Sequence, residues 1–455
     1  MKIAAVGQAG DVKVIHELLS PWNVSFTGID EAEIAIFYKE KPLKAKRTIV
    51  IPSDSSDFMT WVKDMKPKVM KKLGERVFVA ISSQTALAIT PQALYCYDGL
   101  VESARGEIAS TEIELDGNLV VLALDVVKEY NEILDETLNA KQSTLYRMFT
   151  GLPISYGIAP KRLRDLIIRV NGGQEISTFC NRLPIDALRF ILVRAIEKLA
   201  DRKLDKKLWN GKEYAIMLTH DVDTRRGLLR AKKLKTLENK YDVPSAWYIP
   251  SELYKLDTEV IRELANHGEV GAHDTKHDGK LDNLSESKLI ERLRKAREEL
   301  QRILGDGVKG FRAPLLQHSV KIIRASGKAG YLYDTSIPTW EPRHPKTMKP
   351  HGIATVYPLV IEGVTEIPVT LPQDHQLLHI LGLSPKELMR EWTKIIGVIK
   401  EIGGLCTVLV HPDYDLAYPE NLGIYEDLLN TTASDREALV SLPGNVTTQV
   451  KLFEA

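Results

Sequence analysis

The sequence predicts an α/β protein whose C-terminal half is an incomplete seven-stranded (β/α) barrel. From about residue 211 onward, strand-like runs alternate with amphipathic helical segments, as in repeated βα units. The first 125 residues alternate strands with helices over shorter distances, which indicates a small parallel α/β domain. A length of 455 residues exceeds one ordinary domain. We therefore expect three parts: a small α/β domain over 1–125, a helical bridging region over 126–210, and the barrel over 211–455.

Seven segments of the C-terminal half have the character of strands, namely YAIMLTHDVD, PSAWYIPS, EVGAHDTKH, VKGFRAP, YLYDTSI, TEIPVTLP and CTVLVHPD. Most of them are separated by segments with helical periodicity, namely RRGLLRAKKLKTLENKY, DTEVIRELANHG, SESKLIERLRKAREELQRILG, HSVKIIRASGKAG and SPKELMREWTKIIGVIKEIGG. Seven βα units of this length predict a parallel barrel with its helices outside, one strand short of eight.

The N-terminal region contains four predicted strands, KIAAVG, EIAIFY, RTIVIPS and RVFVAIS. The stretch DFMTWVKDMKPKVMKKLG is predicted to be a helix that is interrupted or begins near Pro67 and ends at Gly74. The turn VGQAGD fits neither the dinucleotide-binding nor the P-loop spacing, so we interpret it as a plain turn. Two amphipathic helices are predicted within 126–210.

Composition excludes several classes of protein. Lysine plus arginine number 61 and aspartate plus glutamate also number 61, so nothing favours a nucleic-acid or membrane-surface partner. No apolar run approaches about 18 residues, and the N-terminus lacks the pattern of a signal peptide. Cys96, Cys180 and Cys406 are far apart, which predicts reduced thiols rather than disulfides or a cysteine zinc site. We expect a cytoplasmic protein.

Titratable residues follow five of the seven predicted barrel strands. Because the carboxyl ends of parallel barrel strands meet at one rim, these side chains are expected to converge there. They are His220, Asp221, Asp223, His273, Asp274, His277, Arg312, Asp334, His411 and Asp413.

His273 and His277, four residues apart in HDTKH, are candidate metal ligands. Taken alone, they could equally be a core histidine and a surface histidine. The HDVD segment at another strand end favours a metal site, in which Asp223 would be the third ligand. Two histidines and one carboxylate leave positions open for water and substrate, as catalytic sites require, and this ligand set suits Zn²⁺, Co²⁺, Ni²⁺ or Fe²⁺, with zinc expected. Asp221 would stay off the metal and act as general base.

Residues 214 to about 415 resemble the polysaccharide deacetylase family, carbohydrate esterases of family four with a NodB-like domain. Candidates for all five family motifs occur in order: THDVD, HDTKH, FRAP, YDTSI and LVHP. The first has the D-x-D variant, Asp274 replaces the usual hydroxyl residue in the second, and Leu315 replaces an aromatic residue after the third. The N-terminal half shows no resemblance.

The resemblance implies further roles. Arg312 would orient Asp221 through a charge-assisted contact, His411 would be the general acid that protonates the leaving amine, and Asp334 would keep His411 charged. Each residue has a plainer alternative, since Arg312 could form an ordinary ion pair, Asp334 could cap a helix or turn, and His411 could be a packed loop histidine.

Five residues are candidate substrate contacts. Trp247, Tyr248 and Trp340 could stack on a sugar ring or belong to the core, and Asp374 and His375 follow a strand end and could line the groove. Segment 338–375 is a long insertion that could cover substrate.

These patterns predict a metal-dependent hydrolase of C–N bonds other than peptide bonds, which removes N-acetyl groups from amino sugars of a glycan or glycan precursor. Two alternatives remain at this stage: hydrolysis of a small, non-sugar and possibly cyclic amide on the same barrel, and a non-catalytic glycan-binding protein.

Overall fold

The structure is a computed structural model that describes residues 1–42, 47–62, 67–70, 76–82, 85–92, 94–97, 112–115, 117–144, 147, 176–341, 344, 346–347 and 349–454. The chain divides into two compact units. The first unit comprises Met1–Asp135 and Thr178–Gly211, and the second comprises Glu136–Ser177 and Lys212–Ala455.

The first unit is built on a six-stranded sheet in the order β2-β1-β3-β4-β10-β9. Only the pairing of β9 with β10 is antiparallel, and the other four pairings are parallel. This confirms the predicted small parallel α/β domain. Its strands are Lys2–Val6 (β1), Ser25–Phe26 (β2), Ile34–Tyr38 (β3), Thr48–Ile51 (β4), Pro67–Met70 (β5), Val77–Ala80 (β6), Ala86–Ile89 (β7), Leu94–Tyr97 (β8), Glu112–Glu114 (β9) and Leu119–Leu122 (β10).

In the described residues before the barrel, the helices are Ala9–Leu19 (α1), Ser55–Val62 (α2), Val126–Leu138 (α3) and Pro184–Ala200 (α4). Helix α4 is joined to the end of α1 by Arg189, whose buried guanidinium donates to the carbonyl oxygens of Glu17 and Leu18. These carbonyls belong to the last turn of α1, where the Glu17 carbonyl oxygen also accepts hydrogen bonds from Ser20, and Arg189 fixes α4 against this turn.

The helix predicted to extend to Gly74 is wrong in part. Helix α2 ends at Val62, and Pro67–Met70 forms strand β5, which pairs antiparallel with β8. Proline has no backbone N–H and clashes with the preceding turn of a helix, whereas it is tolerated at the first residue of a strand. Residues 63–66 and 71–75, which include Gly74, lie outside the described residues, so the predicted end of the helix stays a prediction.

The second unit contains an open, curled sheet of nine strands in the order β16-β17-β15-β14-β13-β12-β11-β18, with β19 also paired to β11. All pairings are parallel except that of β16 with β17. Every residue of β11 is buried, as expected for a parallel strand covered on both faces. The strands are Tyr214–Asp221 (β11), Ser245–Ile249 (β12), Gly268–Ala272 (β13), Gly310–Phe311 (β14), Tyr333–Asp334 (β15), Leu359–Ile361 (β16), Val364–Glu366 (β17), Leu405–Val410 (β18) and Ala438–Val440 (β19).

All seven predicted barrel strands are present, and β16 and β19 are additional. Between β17 and β18 the described residues form no regular ladder. Instead, the chain after β17 approaches β18 through two hydrogen bonds, from Leu371 N–H to the Thr407 carbonyl oxygen at 3.1 Å and from Thr407 N–H to Thr370 Oγ1 at 2.6 Å. The barrel is therefore incomplete, as predicted, and the segment after β17 reaches the rim beside β18.

The predicted helices of the second unit are present between the parallel strands. They are Arg225–Lys240 (α5), Thr258–Ala265 (α6), Glu286–Leu304 (α7), Val320–Lys328 (α8) and Pro385–Ile402 (α9). Leu422–Ser434 (α10) and Pro443–Glu454 (α11) are additional helices that the sequence analysis did not predict. Helix α9 begins with a capping box between Ser384 and Glu387 and ends at Gly403, whose φ is 80°. None of the described helices is long and apolar enough to cross a bilayer.

The segment predicted as a helical bridge, 126–210, contains α3 and α4. Of its described residues, 126–135 and 178–210 fall within the first unit, whereas 136–144, 147, 176 and 177 fall within the second. Residues 148–175 lie outside the described residues, so a separate bridging region stays a prediction.

Candidate active site

Asp223, His273 and His277 converge on one point at the carboxyl ends of β11 and β13. Asp223 Oδ1 lies 3.5 Å from His273 Nε2 and 3.2 Å from His277 Nε2. The three residues each offer one ligand atom, and these atoms lie within 4.8 Å of one another. His273 Nδ1 lies 2.8 Å from the Arg312 carbonyl oxygen, which can only accept a hydrogen bond. The proton therefore sits on Nδ1, and the Nε2 lone pair is left for a ligand.

The turn that carries both histidines is held by a buried ion pair. Asp274 and His277 have positive φ values of 65° and 50°, which side-chain-bearing residues rarely adopt. Arg292, on α7, donates to both oxygens of Asp274 at 2.7 and 2.5 Å and also contacts Asp278. This bidentate contact stabilises the unusual turn. Asp274 is a departure from the family motif that the sequence analysis noted, and its contact with Arg292 explains the departure. No sequence pattern pointed to Arg292.

Asp413 supports Asp223 from the next strand end. Its carboxylate accepts a hydrogen bond from Asp223 N–H at 3.0 Å and another from the Thr224 hydroxyl. A Cβ atom on Gly227 would lie 2.4 Å from Asp413 Oδ2, so only glycine lets the first turn of α5 approach this carboxylate. Asp413 therefore helps to fix the backbone that presents Asp223.

Asp221 lies next to the three potential ligands and is paired with Arg312. The Arg312 Nη1 atom donates to Asp221 Oδ1 at 3.1 Å and to Thr219 Oγ1 at 2.9 Å, and the arginine side chain is fully buried. Asp221 Oδ2 faces His273 Nε2 at 3.9 Å. The guanidinium holds one oxygen of Asp221 and leaves the other directed toward His273. The contact predicted between Arg312 and Asp221 is therefore present.

His411, directly after β18, is bonded to Asp374. Asp374 Oδ1 lies 2.5 Å from His411 Nδ1, and Asp374 Oδ2 accepts the His411 backbone N–H at 2.8 Å. Burial alone would lower the pKa of His411, but the carboxylate of Asp374, with further contributions from Asp223 and Asp221, raises that pKa to about 10. The imidazole is therefore protonated at neutral pH, with Nε2 available as a donor.

The carboxylate partner of His411 corrects the prediction made for Asp334. Asp334 is fully buried at the end of β15, where its Oδ1 accepts the Ser336 backbone N–H at 2.8 Å and its side chain contacts Glu366. Burial raises the pKa of Asp334 to about 6, and burial together with Asp334 raises the pKa of Glu366 well above its usual range. Two adjacent buried carboxyl groups cannot both ionise easily, so this pair holds one proton near neutrality.

Replacing Asp334 with asparagine is expected to leave activity within about threefold of wild type, since the amide keeps the shape of the side chain and its oxygen can still accept the Ser336 N–H hydrogen bond. Asp334→Ala should instead lower the free energy of unfolding by about 1–3 kcal/mol, because Glu366 loses a buried partner. Chemical denaturation and steady-state kinetics of both variants check this. A large loss of kcat in Asp334→Asn with unchanged stability would instead support the predicted role of Asp334, which is to keep His411 charged.

The candidate substrate contacts separate into two groups. Trp247 and Tyr248 are both fully buried, with the Trp247 ring stacked on His220 and the Tyr248 ring beneath the Arg312 guanidinium, so neither can stack on a sugar in this structure. Trp340 is 5% exposed and is likewise buried. This corrects the stacking interpretation for all three aromatic residues.

Asp374 and His375 do lie at the predicted rim. Asp374 is buried against His411. His375 is half-buried, and its ring centroid lies 5.1 Å from that of Tyr414, which in turn lies 5.3 Å from that of His411. Tyr414 therefore has both His375 and the general-acid candidate as neighbours, whereas Asp374 contacts that candidate directly.

Comparison with known proteins gives a family match for part of the barrel. Residues 210–333 match the family model for polysaccharide deacetylase. No curated protein sequence matches the chain. Similar solved structures include a Mycobacterium smegmatis protein assigned as a polysaccharide deacetylase (18% identity, 55% of this chain and 94% of that chain, TM-score 0.47). They also include PuuE allantoinase (15%, 53% and 91%, TM-score 0.42) and a pseudoenzyme of carbohydrate esterase family 4 from Bacillus anthracis (15%, 52% and 66%, TM-score 0.37).

Proposed function

Because the C-terminal half of the chain contains a NodB-like polysaccharide deacetylase domain, we propose that this protein is a metal-dependent hydrolase that removes N-acetyl groups from amino sugars of a glycan or glycan precursor. One observation carries the proposal. A potential ligand set (Asp223, His273 and His277), a carboxylate next to it (Asp221) and a protonated histidine (His411) all follow strand ends on one side of the barrel.

The residues present fit a divalent metal ion. Within the described part of the chain, Asp223 Oδ1 is buried and receives no hydrogen bond, although two imidazole nitrogens lie within 3.5 Å of it. A buried carboxylate oxygen facing two nitrogen lone pairs is stabilised by a cation between them. Zinc suits two histidines and one carboxylate, and Co²⁺, Ni²⁺ or Fe²⁺ could replace it. When bound, the metal would polarise the acetyl carbonyl group.

The protein's own residues supply the proton transfers. Asp221 accepts a proton from the attacking water as the water oxygen bonds to the acetyl carbon, and Arg312 holds this carboxylate in its orientation. His411 donates a proton to the amide nitrogen as the C–N bond breaks, so that a neutral amine leaves. Asp374 holds the imidazole in the orientation needed for this step.

The proposal is tested by metal analysis combined with an acetate-release assay. We expect about one equivalent of divalent metal per chain, acetate release from chitooligosaccharides, and loss of activity on chelation with recovery on addition of Zn²⁺. His277→Gln should lose both metal and activity. His267→Gln is the matched control, because His267 lies in the same unit with its side chain 46% exposed and paired with the exposed Asp242.

Three results would contradict the proposal in different ways. Full activity in the presence of a strong chelator would exclude metal dependence. Hydrolysis of small cyclic amides without acetate release from any oligosaccharide would indicate that the same site acts on a non-sugar amide. Stoichiometric metal with no hydrolysis of amides or esters would indicate a non-catalytic glycan-binding protein.

A further inference from the structure

A buried polar network lies directly behind the strand ends that carry Asp221 and His411. His220, one residue before Asp221 on β11, is fully buried. Its Nδ1 lies 3.0 Å from the Val410 carbonyl oxygen, and its Nε2 lies 2.9 Å from Glu238 Oε1. The proposed hydrolytic mechanism assigns no role to any of these three residues.

The hydrogen-bond partners define the charge state of His220. The Val410 carbonyl oxygen can only accept, and Glu238 also accepts hydrogen bonds from the hydroxyl groups of Ser245 and Tyr425. Both ring nitrogens of His220 therefore face acceptors, which requires a proton on each nitrogen and makes the ring an imidazolium. Burial alone would raise the pKa of Glu238, but His220 and the two hydroxyl groups lower it, which agrees with an ionised carboxylate.

An ion pair in a fully buried site is not an efficient source of stability. The desolvation of two charges offsets most of their attraction, and apolar replacements of similar volume are often as stable or more stable. Such a pair can nevertheless fix relative positions, because its hydrogen bonds tolerate little displacement. The role of this ion pair is therefore sought in the groups that His220 connects.

His220 connects the base strand with the acid strand. Its backbone continues directly into Asp221, and its side chain holds the carbonyl group of Val410, the residue immediately before His411. The two strands are already paired, and His220 is opposite Val410 in the register. The imidazolium adds a side-chain bond at the last paired position, where a ladder would otherwise fray. The Trp247 ring, stacked on His220 at 3.9 Å between centroids, restricts the imidazolium from a third strand.

We propose that His220 is a positioning residue, held by Glu238, that fixes the general base Asp221 and the general acid His411 relative to each other. This inference rests on the proposed function, since it concerns the same acid and base. The role is distinct from that of Asp374, which touches His411 itself.

The test compares two substrates that differ in their need for the acid. An N-acetylated chitooligosaccharide requires protonation of its leaving nitrogen, whereas 4-nitrophenyl acetate has a leaving group that departs without a proton. For His220→Gln we expect kcat on the oligosaccharide to fall about 10–100-fold with little change in KM, and kcat on the ester to fall less than about threefold. Tyr331→Phe is the control, because it removes a different buried hydrogen bond, to the Leu293 carbonyl oxygen.

Equal losses on both substrates, or no loss on either, would overturn the positioning role while leaving the proposed function intact. Wild-type protein that binds metal but hydrolyses neither substrate would instead contradict the proposed function. Nitrogen-15 NMR of the His220 ring in the wild-type protein requires neither enzyme activity nor a folded variant. We expect two protonated ring nitrogens in wild type and only one in Glu238→Gln. A single protonated nitrogen in wild type would refute the imidazolium on which the inference depends.

Discussion

Replacing Asp221 with asparagine is expected to reduce kcat about 10²–10⁴-fold while leaving the metal content unchanged. Asparagine has the shape of aspartate and can still accept the hydrogen bond from Arg312, so the buried contact at 3.1 Å is preserved. It cannot take a proton from water, and the general base is lost. Asp221 does not belong to the group of Asp223, His273 and His277, so metal binding should persist.

The measurement is a steady-state rate profile together with metal analysis of the same preparation. Asp242→Asn is the matched control, because Asp242 is exposed in the same unit and has a positive φ of 55° that asparagine tolerates. KM should change little in Asp221→Asn, since the interaction that is lost is made in the transition state. Full activity with full metal occupancy would exclude Asp221 as the base.

The second large effect is expected from Asp374→Asn. Burial opposes the charge on His411, and the Asp374 carboxylate is the largest of the contributions that raise its pKa to about 10. Without that carboxylate the pKa of His411 should fall by roughly 1–3 units. The acid form of His411 exists below its pKa, so the alkaline limb of the kcat/KM profile should move to lower pH. The asparagine amide also favours the wrong tautomer, and we expect a loss of about 10²–10⁴-fold at neutral pH on N-acetyl substrates.

The profile of kcat/KM against pH checks this expectation, with Asp334→Asn as a buried carboxyl control that should keep the wild-type alkaline limb. A cation held by Asp223, His273 and His277 would weaken the influence of Asp223 and Asp221 on His411, but the direct contact with Asp374 remains and the direction of the shift is unchanged. An unaltered alkaline limb in Asp374→Asn would mean that another group is the acid.

The sequence predicted the barrel well because its signals are local. The strands of the second unit are short apolar runs, and the helices between them have clear three- and four-residue periodicity. Both features depend only on neighbours along the chain. The same holds for the polar residues at the strand ends, since all parallel strands of one sheet direct their carboxyl ends to the same rim.

The sequence did not identify Asp374 as the partner of His411, because the two residues meet through a long-range contact. Asp374 lies on the segment after β17 that returns beside β18, where Leu371 bonds to Thr407. Asp334 ends a strand and matched the family motif, so the sequence favoured it. The path of an irregular segment of this kind depends on long-range contacts that have no periodic pattern. The Asp274–Arg292 pair was missed for the same reason, as it joins a loop to a helix 18 residues away.

Trp247 and Tyr248 show a different limit. They are consecutive in β12 and therefore point to opposite faces of the sheet. On a half-exposed sheet one of them would reach solvent or substrate, but the strands of this barrel are covered on both faces and both rings are buried. An aromatic residue near the rim can be assigned to the core or to the substrate groove only when it is known where the covering of the two sheet faces ends.

In the native state, the buried carboxyl pair of Asp334 and Glu366 retains one proton near neutral pH. In the unfolded chain both groups regain ordinary acidity, so at neutral pH denaturation discharges that proton into the buffer. A carboxyl group whose pKa is raised on folding favours the native state below its unfolded pKa, and this contribution disappears as pH rises through about 6 for Asp334 and higher still for Glu366. Alkaline media therefore weaken the scaffold at the ends of β15 and β17, and mildly acidic media reinforce it.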